Sequence, residues 1–156
     1  MESIVLVLCD IRSNENVGSL LRTADAAGIN KVYLCGITPA PIDRFGRPVS
    51  AITKTALGAE QTVAWEKPID TLILLGNLKR YGYQIIAIEQ SEKSVDYKTV
   101  SSTALVAFVL GNEVKGLTPE VLMLANTIAE IPMRGTKESL NVAVAGGVAL
   151  FRILNV

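Results

Sequence analysis

Near its C-terminus the sequence reads Leu110-Gly111-Asn112-Glu113-Val114-Lys115-Gly116-Leu117 and, a little later, Ile131-Pro132-Met133-Arg134-Gly135-Thr136-Lys137-Glu138-Ser139-Leu140-Asn141-Val142. Each stretch is an apolar strand that continues into a polar, glycine-bearing loop and then into a helix. Open α/β proteins bind small ligands in such loops, at the carboxyl ends of their parallel strands. These two stretches therefore predict an α/β fold with a ligand pocket in the last third of the chain.

Outward from these stretches, strand and helix signals alternate along the chain. Apolar runs predict strands at Ser3–Cys9, Lys31–Cys35, Thr62–Trp65, Tyr83–Ile88, Ala104–Leu110 and Thr127–Ile131. Helical spacing of apolar residues predicts helices at Asn16–Ala27, Val49–Leu57 and Ile69–Tyr81, another opening at Thr118-Pro119, and a last one at Ser139–Ile153. The alternation predicts a mostly parallel sheet with helices on both faces, and we expect residues 1–156 to form one domain.

The last predicted helix is apolar nearly all round. Val142, Val144, Val148, Leu150 and Phe151 cannot share one face of a helix. Such a helix needs cover on more than one side, so we expect a partner subunit to cover part of it in a homodimer. At its start, Ser139 is the expected N-cap.

Composition narrows the class of protein. Hydrophobic residues make up 49% and charged residues 19% of the chain, which is typical of a globular domain. No apolar run is long enough to span a membrane, and the run at Ile4–Cys9 lacks the basic lead of a signal peptide, so a cytoplasmic protein is expected. Cys9 and Cys35 lie at two strand ends as expected buried free thiols, and no metal site is expected from their spacing.

Two further counts restrict the chemistry. The chain has no histidine, which removes the commonest general base and metal ligand. Its 15 basic and 15 acidic residues give zero net charge, whereas nucleic-acid binders usually carry a basic excess. If this protein binds RNA, its basic residues must be concentrated on one face.

The common nucleotide motifs are missing. The loop after the first strand has one glycine, Gly18, where a dinucleotide-binding fold needs Gly-x-Gly-x-x-Gly. Gly111 and Gly116 have the P-loop spacing, but Leu117 follows where that motif needs lysine. The same first loop and the helix that follows it carry Asn16 and Arg22, which are equally compatible with a helix cap beside a solvated arginine and with a ligand site.

Taken together, three segments resemble the SpoU/TrmH branch of the SPOUT class, which are S-adenosylmethionine-dependent RNA 2′-O-ribose methyltransferases. They are Asn16-Val17-Gly18-Ser19-Leu20-Leu21-Arg22-Thr23-Ala24, Gly111-Asn112-Glu113-Val114-Lys115-Gly116-Leu117, and Ile131-Pro132-Met133 with Ser139-Leu140-Asn141-Val142. The resemblance implies a C-terminal deep trefoil knot that forms the cofactor pocket, and a homodimer through the knot and the last helix. It also implies tRNA or rRNA as the substrate.

The resemblance assigns roles to particular residues. It implies S-adenosylmethionine contacts at Ile88, Leu110, Gly111, Ile131, Met133, Ser139 and Leu140. It implies catalytic or ribose-site roles for Arg22, Asn16, Glu113, Ser139 and Asn141, with Asn16 orienting Arg22 or the ribose and Glu113 bracing the loop and the surroundings of Arg22. Arg22 acts either as an unusual deprotonated base or as a cation that grips a phosphate and stabilises the developing alkoxide, and the chemistry of guanidinium favours the cation.

The substrate-binding surface is left more open. Candidate RNA contacts are Arg12, Arg44, Arg47, Lys54, Arg134 and Lys137, although the stretch from Arg44 to Lys54 is equally compatible with a solvated loop. Many members of the family add an RNA-binding domain, and we expect residues 1–156 to be a single methyltransferase domain without that extension. A non-catalytic RNA-binding relative of the same fold is the alternative function. The retention of five site residues argues against it: Asn16, Arg22, Glu113, Ser139 and Asn141.

Overall fold

Seven strands form one sheet in the computed structural model, which describes all 156 residues. Their order across the sheet is β3-β2-β1-β6-β4-β7-β5, and every neighbouring pair is parallel. The strands are β1 (Ser3–Cys9), β2 (Lys31–Cys35), β3 (Ala64–Glu66), β4 (Gln84–Ile88), β5 (Val95–Asp96), β6 (Leu105–Leu110) and β7 (Thr127–Glu130). The predicted parallel α/β sheet is confirmed.

Six helices connect these strands. They are α1 (Asn14–Ala26), α2 (Ser50–Ala56), α3 (Ala59–Thr62), α4 (Thr71–Arg80), α5 (Pro119–Leu124) and α6 (Val142–Leu154), with one 3-10 turn at Tyr97–Thr99. As predicted, Thr118 caps α5 and Pro119 occupies its first turn. The shortest helix, α3, and the shortest strand, β5, were not predicted because four and two residues are too few to show a hydrophobic period.

Strand β1 is an interior strand of the sheet, and it separates two apolar layers. Its even residues Leu6 and Leu8 join one buried cluster, while its odd residues Val5 and Val7 join the other. This alternation is the pleat of a strand that is covered on both faces. The sheet therefore has a separate hydrophobic core packed against each of its two faces.

The strand register aligns the ends that matter for the site. Cys9 at the end of β1 is paired with Cys35 at the end of β2, and Leu8 of β1 is paired with Leu110 of β6. Because these parallel strands end at the same level, the loops that follow them meet at one edge of the sheet. Both cysteines are buried free thiols, as predicted.

The predicted starts of two helices were wrong. Helix α6 begins at Val142 rather than Ser139, because the Asn141 side chain accepts hydrogen bonds from the backbone N–H groups of Ala143 and Val144 (2.9 and 3.2 Å). Helix α1 begins at Asn14 rather than Asn16, because the Ser13 hydroxyl caps it by accepting from Asn16 N–H (3.1 Å). Residues 131–141 therefore form an irregular segment between β7 and α6.

One face of α6 carries apolar side chains that the rest of the chain does not cover. Ala149, Leu150 and Ile153 are buried, whereas Val144, Val148 and Phe151 are 52%, 37% and 38% exposed. No helix of the protein is both long enough and apolar enough to cross a membrane.

Two helical glycines test how tightly this fold is packed. A methyl group on Gly18 of α1 would collide with Thr55 Oγ1 and the backbone oxygen of Ile52 in α2, whereas Gly76 of α4 has open space around its Cα. We expect Gly18→Ala to lower the free energy of unfolding by about 1–3 kcal/mol, because α2 cannot approach α1 as closely.

The matched variant Gly76→Ala is expected to raise the free energy of unfolding by up to about 1 kcal/mol, since alanine favours the helix. Urea denaturation of both variants at equal ionic strength measures the two signs. A Gly18→Ala protein as stable as the parent would contradict the close packing of α1 on α2.

Candidate active site

A cleft of about 380 Å³ opens at the carboxyl ends of β4, β6 and β7. This volume lies in the range of small-molecule pockets. Its walls are the ends of these strands, the loop after β6, the irregular segment 131–141 and the start of α6. The lining includes all seven residues predicted for the cofactor: Ile88, Leu110, Gly111, Ile131, Met133, Ser139 and Leu140.

The loop after β6 is folded tightly by its own polar groups. The Asn112 side-chain oxygen accepts from the N–H groups of Val114 and Lys115 (both 2.9 Å), and the Asn112 carbonyl accepts from Gly116 N–H (3.0 Å). Gly111 must lack a side chain, because a Cβ there would lie 2.6 Å from the backbone carbon of Gly116. Gly116 itself has a φ of +68°, which favours glycine.

Glu89 fastens this loop to the end of β4. Its carboxylate accepts a hydrogen bond from the backbone N–H of Leu117 (2.9 Å) and another from that of Gln90 (2.9 Å). Gln90 in turn donates from its side chain to the backbone oxygen of Glu138 (2.7 Å) in the irregular segment. The family resemblance implied that the strand end at residues 87–89 forms a wall of the pocket, as the lining shows. The hydrogen bonds of Glu89 and the role of Gln90 were not predicted, although their position directly after a buried strand was a signal.

Glu113 connects the β6 loop to the loop after β1. Its carboxylate accepts hydrogen bonds from the backbone N–H groups of Arg12 (3.0 and 3.1 Å) and Ser13 (3.0 Å), and from the Asn16 side chain (3.2 Å). Partial burial raises the pKa of Glu113, but these donors outweigh it and hold the pKa below its ordinary value. The carboxylate is therefore bound as an anion.

Asn16 extends this connection to the last helix. While its amide group donates to Glu113, its side-chain oxygen accepts from the Asn141 amide (3.1 Å). Glu113 and Asn16 are 97 residues apart in the sequence, and Asn16 and Asn141 are 125 residues apart. The hydrogen bonds among these three side chains thus join the three motifs that the sequence singled out. Asn141 also caps α6, so the same side chain sets where that helix begins.

Arg22 stands apart from this network within the single chain. It is exposed, makes no hydrogen bond or ion pair, and is not among the residues that line the cleft. It lies six residues after Asn16 on α1, about 9 Å further along the helix axis and on a different face. Asn16 and Glu113 contact each other and the first loop rather than Arg22. Ser139 is exposed and lines the cleft without a hydrogen bond.

The charges that line the cleft are mostly negative. Lys115 is the one basic residue in the lining, against four acidic ones: Glu89, Glu113, Glu130 and Glu138. Such a wall attracts a ligand that carries positive charge and repels polyphosphates. No group of three or more His, Cys, Asp or Glu side chains is placed to hold a metal ion.

The six basic RNA-contact candidates are all exposed. Arg12 follows β1, Arg44 and Arg47 follow β2, and Arg134 and Lys137 follow β7, so these five lie in loops at the carboxyl edge of the sheet. Lys54 lies on α2.

Similarity to known proteins identifies the family. The sequence profile of the SpoU rRNA Methylase family matches residues 3–151. The chain belongs to this family. A tRNA (guanosine(18)-2'-O)-methyltransferase of Aquifex aeolicus is 29% identical over 150 residues, covering 96% of this chain and 68% of the relative.

Two further relatives support the assignment. The 23S rRNA (guanosine-2'-O-)-methyltransferase RlmB of Neisseria meningitidis is 34% identical over 147 residues, covering 94% of this chain and 56% of the relative. The crystal structure of an AdoMet-bound rRNA methyltransferase from Sinorhizobium meliloti superposes with a TM-score of 0.87 at 30% identity, covering 99% of this chain and 57% of that chain. This SpoU-family chain thus spans only part of the length of each of these relatives.

The anionic state of Glu113 leads to a pH-dependent prediction. Because its pKa is lower in the folded than in the unfolded protein, its stabilising effect is present above the unfolded value of about 4.3 and is lost as pH falls through the folded value. At neutral pH, Glu113→Gln should lower the free energy of unfolding by about 1 kcal/mol, after allowance for partial solvent exposure.

Urea denaturation of both proteins at neutral pH and near pH 3 measures this effect. The difference between parent and Glu113→Gln should shrink at the acidic pH. Glu120→Gln, at an exposed acid in the first turn of α5, is the control. A difference that stays constant with pH would contradict the bridging role of the carboxylate.

Proposed function

We propose that this SpoU-family chain transfers a methyl group from S-adenosylmethionine to a ribose 2′-OH of tRNA or rRNA. The observation that carries the proposal is the series of hydrogen bonds from Glu113 through Asn16 to Asn141, which joins the three motifs beside a cleft of ligand size. The names of the two curated relatives, both 2′-O-methyltransferases of guanosine in RNA, support the same reaction.

The cleft suits S-adenosylmethionine, which when bound supplies a methyl group attached to a positively charged sulfonium. Leu110, Ile131 and Leu140 provide apolar wall for an adenine ring. The acidic lining complements the positive sulfonium and ammonium groups of the donor. The AdoMet-bound relative from Sinorhizobium meliloti has the same fold.

Arg22 is the proposed catalytic residue. A ribose 2′-OH is a weak acid, so its oxygen needs help to attack the methyl carbon as its proton leaves. A deprotonated Arg22 would take that proton itself, whereas a cationic Arg22 would hold the neighbouring phosphate and stabilise the alkoxide that develops. We favour the cation because a guanidinium rarely loses its proton. The 2′-OH proton then passes to solvent water as the oxygen bonds to the methyl carbon and the bond between that carbon and the sulfur breaks. Ser139 and Asn141 would line the ribose site.

We further propose a homodimer through α6, with the segment before it threaded as a trefoil knot. The exposed face at Val144, Val148 and Phe151 supports a dimer, since association would remove this apolar area from water. Helix α1 packs against α6, where Gly147 lies next to Thr23. Arg22, next to Thr23 on α1, therefore lies close to the proposed interface, and we propose that it serves the cleft of the partner.

The remaining proposals concern organisation. We propose that residues 1–156 act as a single methyltransferase domain in the cytoplasm. One continuous sheet with a core on each face supports the single domain.

The second candidate function is a non-catalytic RNA-binding relative of the same fold. The position of Arg22 outside the lining of its own cleft favours this alternative.

Replacement of Arg22 tests the reaction. We expect Arg22→Lys to lose most methyl transfer to tRNA or rRNA, because lysine cannot make the bidentate contact of a guanidinium. Its affinity for S-adenosylmethionine, measured by calorimetry, should stay unchanged. Arg80→Lys, at an exposed position on α4, is the matched control.

Two results would contradict the methyltransferase proposal. Full turnover by Arg22→Lys would exclude a catalytic role for this residue. Absence of S-adenosylmethionine binding by the parent protein would favour the non-catalytic relative.

Mixed dimers test whether Arg22 serves the partner's cleft. We expect Arg22→Ala and Ser139→Ala to be inactive separately but to recover about one quarter of the parent activity when co-expressed. Half of the dimers are then mixed, and each mixed dimer has one site with both residues intact. If Arg22 served its own cleft, no mixture would be active. The measurement is methyl incorporation per mole of purified dimer.

A further inference from the structure

The loop between β2 and α2 displays one exposed aromatic ring in contact with two arginines. The guanidinium carbons of Arg44 and Arg47 lie 4.7 and 4.9 Å from the centre of the Phe45 ring. The side chain of Phe45 is not part of either core, and the residue is 65% exposed. Other apolar side chains of this protein, such as Ile37 and Leu57, are equally exposed, and what distinguishes Phe45 is the pair of guanidinium groups against its ring.

The tip of this loop is a built turn. The Asp43 carboxylate accepts from the N–H groups of Phe45 (2.8 Å) and Arg47 (3.0 Å), and from Arg47 Nε (3.0 Å). Gly46 adopts a φ of +76°, and a bridge between Ile42 and Pro48 closes the turn. These contacts hold the ring outward and keep one guanidinium against it. The cation of Arg47 is partly neutralised by Asp43, while Arg44 has no acidic partner.

The base of the loop is tied to the candidate active site. The Thr38 hydroxyl, fully buried, accepts from the N–H of Ile11 (3.0 Å) and donates to the carbonyl of Leu8 (3.0 Å). Lys67 donates to the carbonyls of Gly36 (2.9 Å) and Thr38 (2.6 Å). Ile11 directly precedes Arg12, whose backbone N–H binds Glu113. The aromatic turn therefore rises from the same sheet edge as the Glu113 network, and Thr38 ties its loop to the loop after β1 that Glu113 holds.

We propose that Phe45, with Arg44 and Arg47, is a stacking platform for an unpaired base of the RNA substrate. This inference rests on the proposed function and names a surface by which the substrate is held. Unpaired RNA is commonly bound by stacking its bases on aromatic rings and guanidinium planes, while arginines contact the flanking phosphates. Basic residues without acids from Arg44 to Lys54 supply the local positive charge that the neutral chain as a whole lacks.

The platform favours single strands over duplex. A paired base keeps its faces stacked on its neighbours, so a protruding ring has no face to cover without unstacking the helix. A second copy of this chain is the competing occupant, because an exposed aromatic can also contribute to a protein interface.

The test measures binding of a labelled single-stranded RNA oligonucleotide and of the matching duplex by fluorescence anisotropy, without S-adenosylmethionine. We expect Phe45→Ala to weaken single-strand binding about tenfold, Phe45→Trp to retain it, and duplex binding to change little. The matched control is Tyr81→Ala, which removes an aromatic residue of similar exposure (73%) at the end of α4, just before β4 and hence at the opposite edge of the sheet. Arg44→Ala should reduce the slope of log affinity against log salt by about 0.7, the value for one phosphate contact on a single strand.

Three results for Phe45→Ala would overturn the platform. They are unchanged binding of the single strand, an equal loss of affinity for duplex and single strand, and an oligomeric state that differs from that of the parent in size-exclusion chromatography. The last would assign Phe45 to an interface between copies. Methylation kinetics separate the two proposals. If Phe45→Ala raises the KM for RNA and leaves the affinity for S-adenosylmethionine unchanged, both proposals are supported. If Phe45→Ala weakens RNA binding but the parent protein methylates no RNA, the platform stands and only the methyltransferase proposal is overturned.

Discussion

The Glu113 carboxylate is the contact on which the arrangement of the site depends. It accepts backbone N–H groups of the first loop and the amide of Asn16, and Asn16 then holds Asn141 at the start of α6. Hydrogen bonds to a charged acceptor are stronger than those between neutral groups, and several donors converge here on one anion. Together with the Asn112 side chain, which donates to the Asp10 carbonyl (2.8 Å), this anion fixes the distance between the loops after β1 and β6.

Much of the fold could be predicted from local patterns. The bounds of β1 and β2 match the prediction because buried strands of a parallel sheet are continuous apolar runs that end abruptly in polar residues. The start of α6 could not be predicted this way, since Ser139 and Asn141 are equally good caps in isolation. Only the contact between Asn141 and Asn16, made by a distant part of the chain, distinguishes them.

The site was predicted less completely, for physical reasons. The pocket wall followed from motifs that the family resemblance supplied, and the cleft contains all seven of those residues. The pairing of Glu113 with the first loop depends on β1 and β6 being neighbours, which no local pattern reveals. The position of Arg22 outside its own cleft likewise depends on how α1 packs, and the turn at Asp43 that presents Phe45 is visible only once its hydrogen bonds are known.

The acidic lining of the cleft has a consequence for turnover. Under the proposed reaction, the four carboxylates meet a donor whose sulfur is positively charged, and after transfer they meet a neutral thioether. Their attraction weakens at the moment the methyl group leaves. Under the proposed reaction, this change of charge favours the binding of fresh donor over spent donor, and would thereby reduce product inhibition.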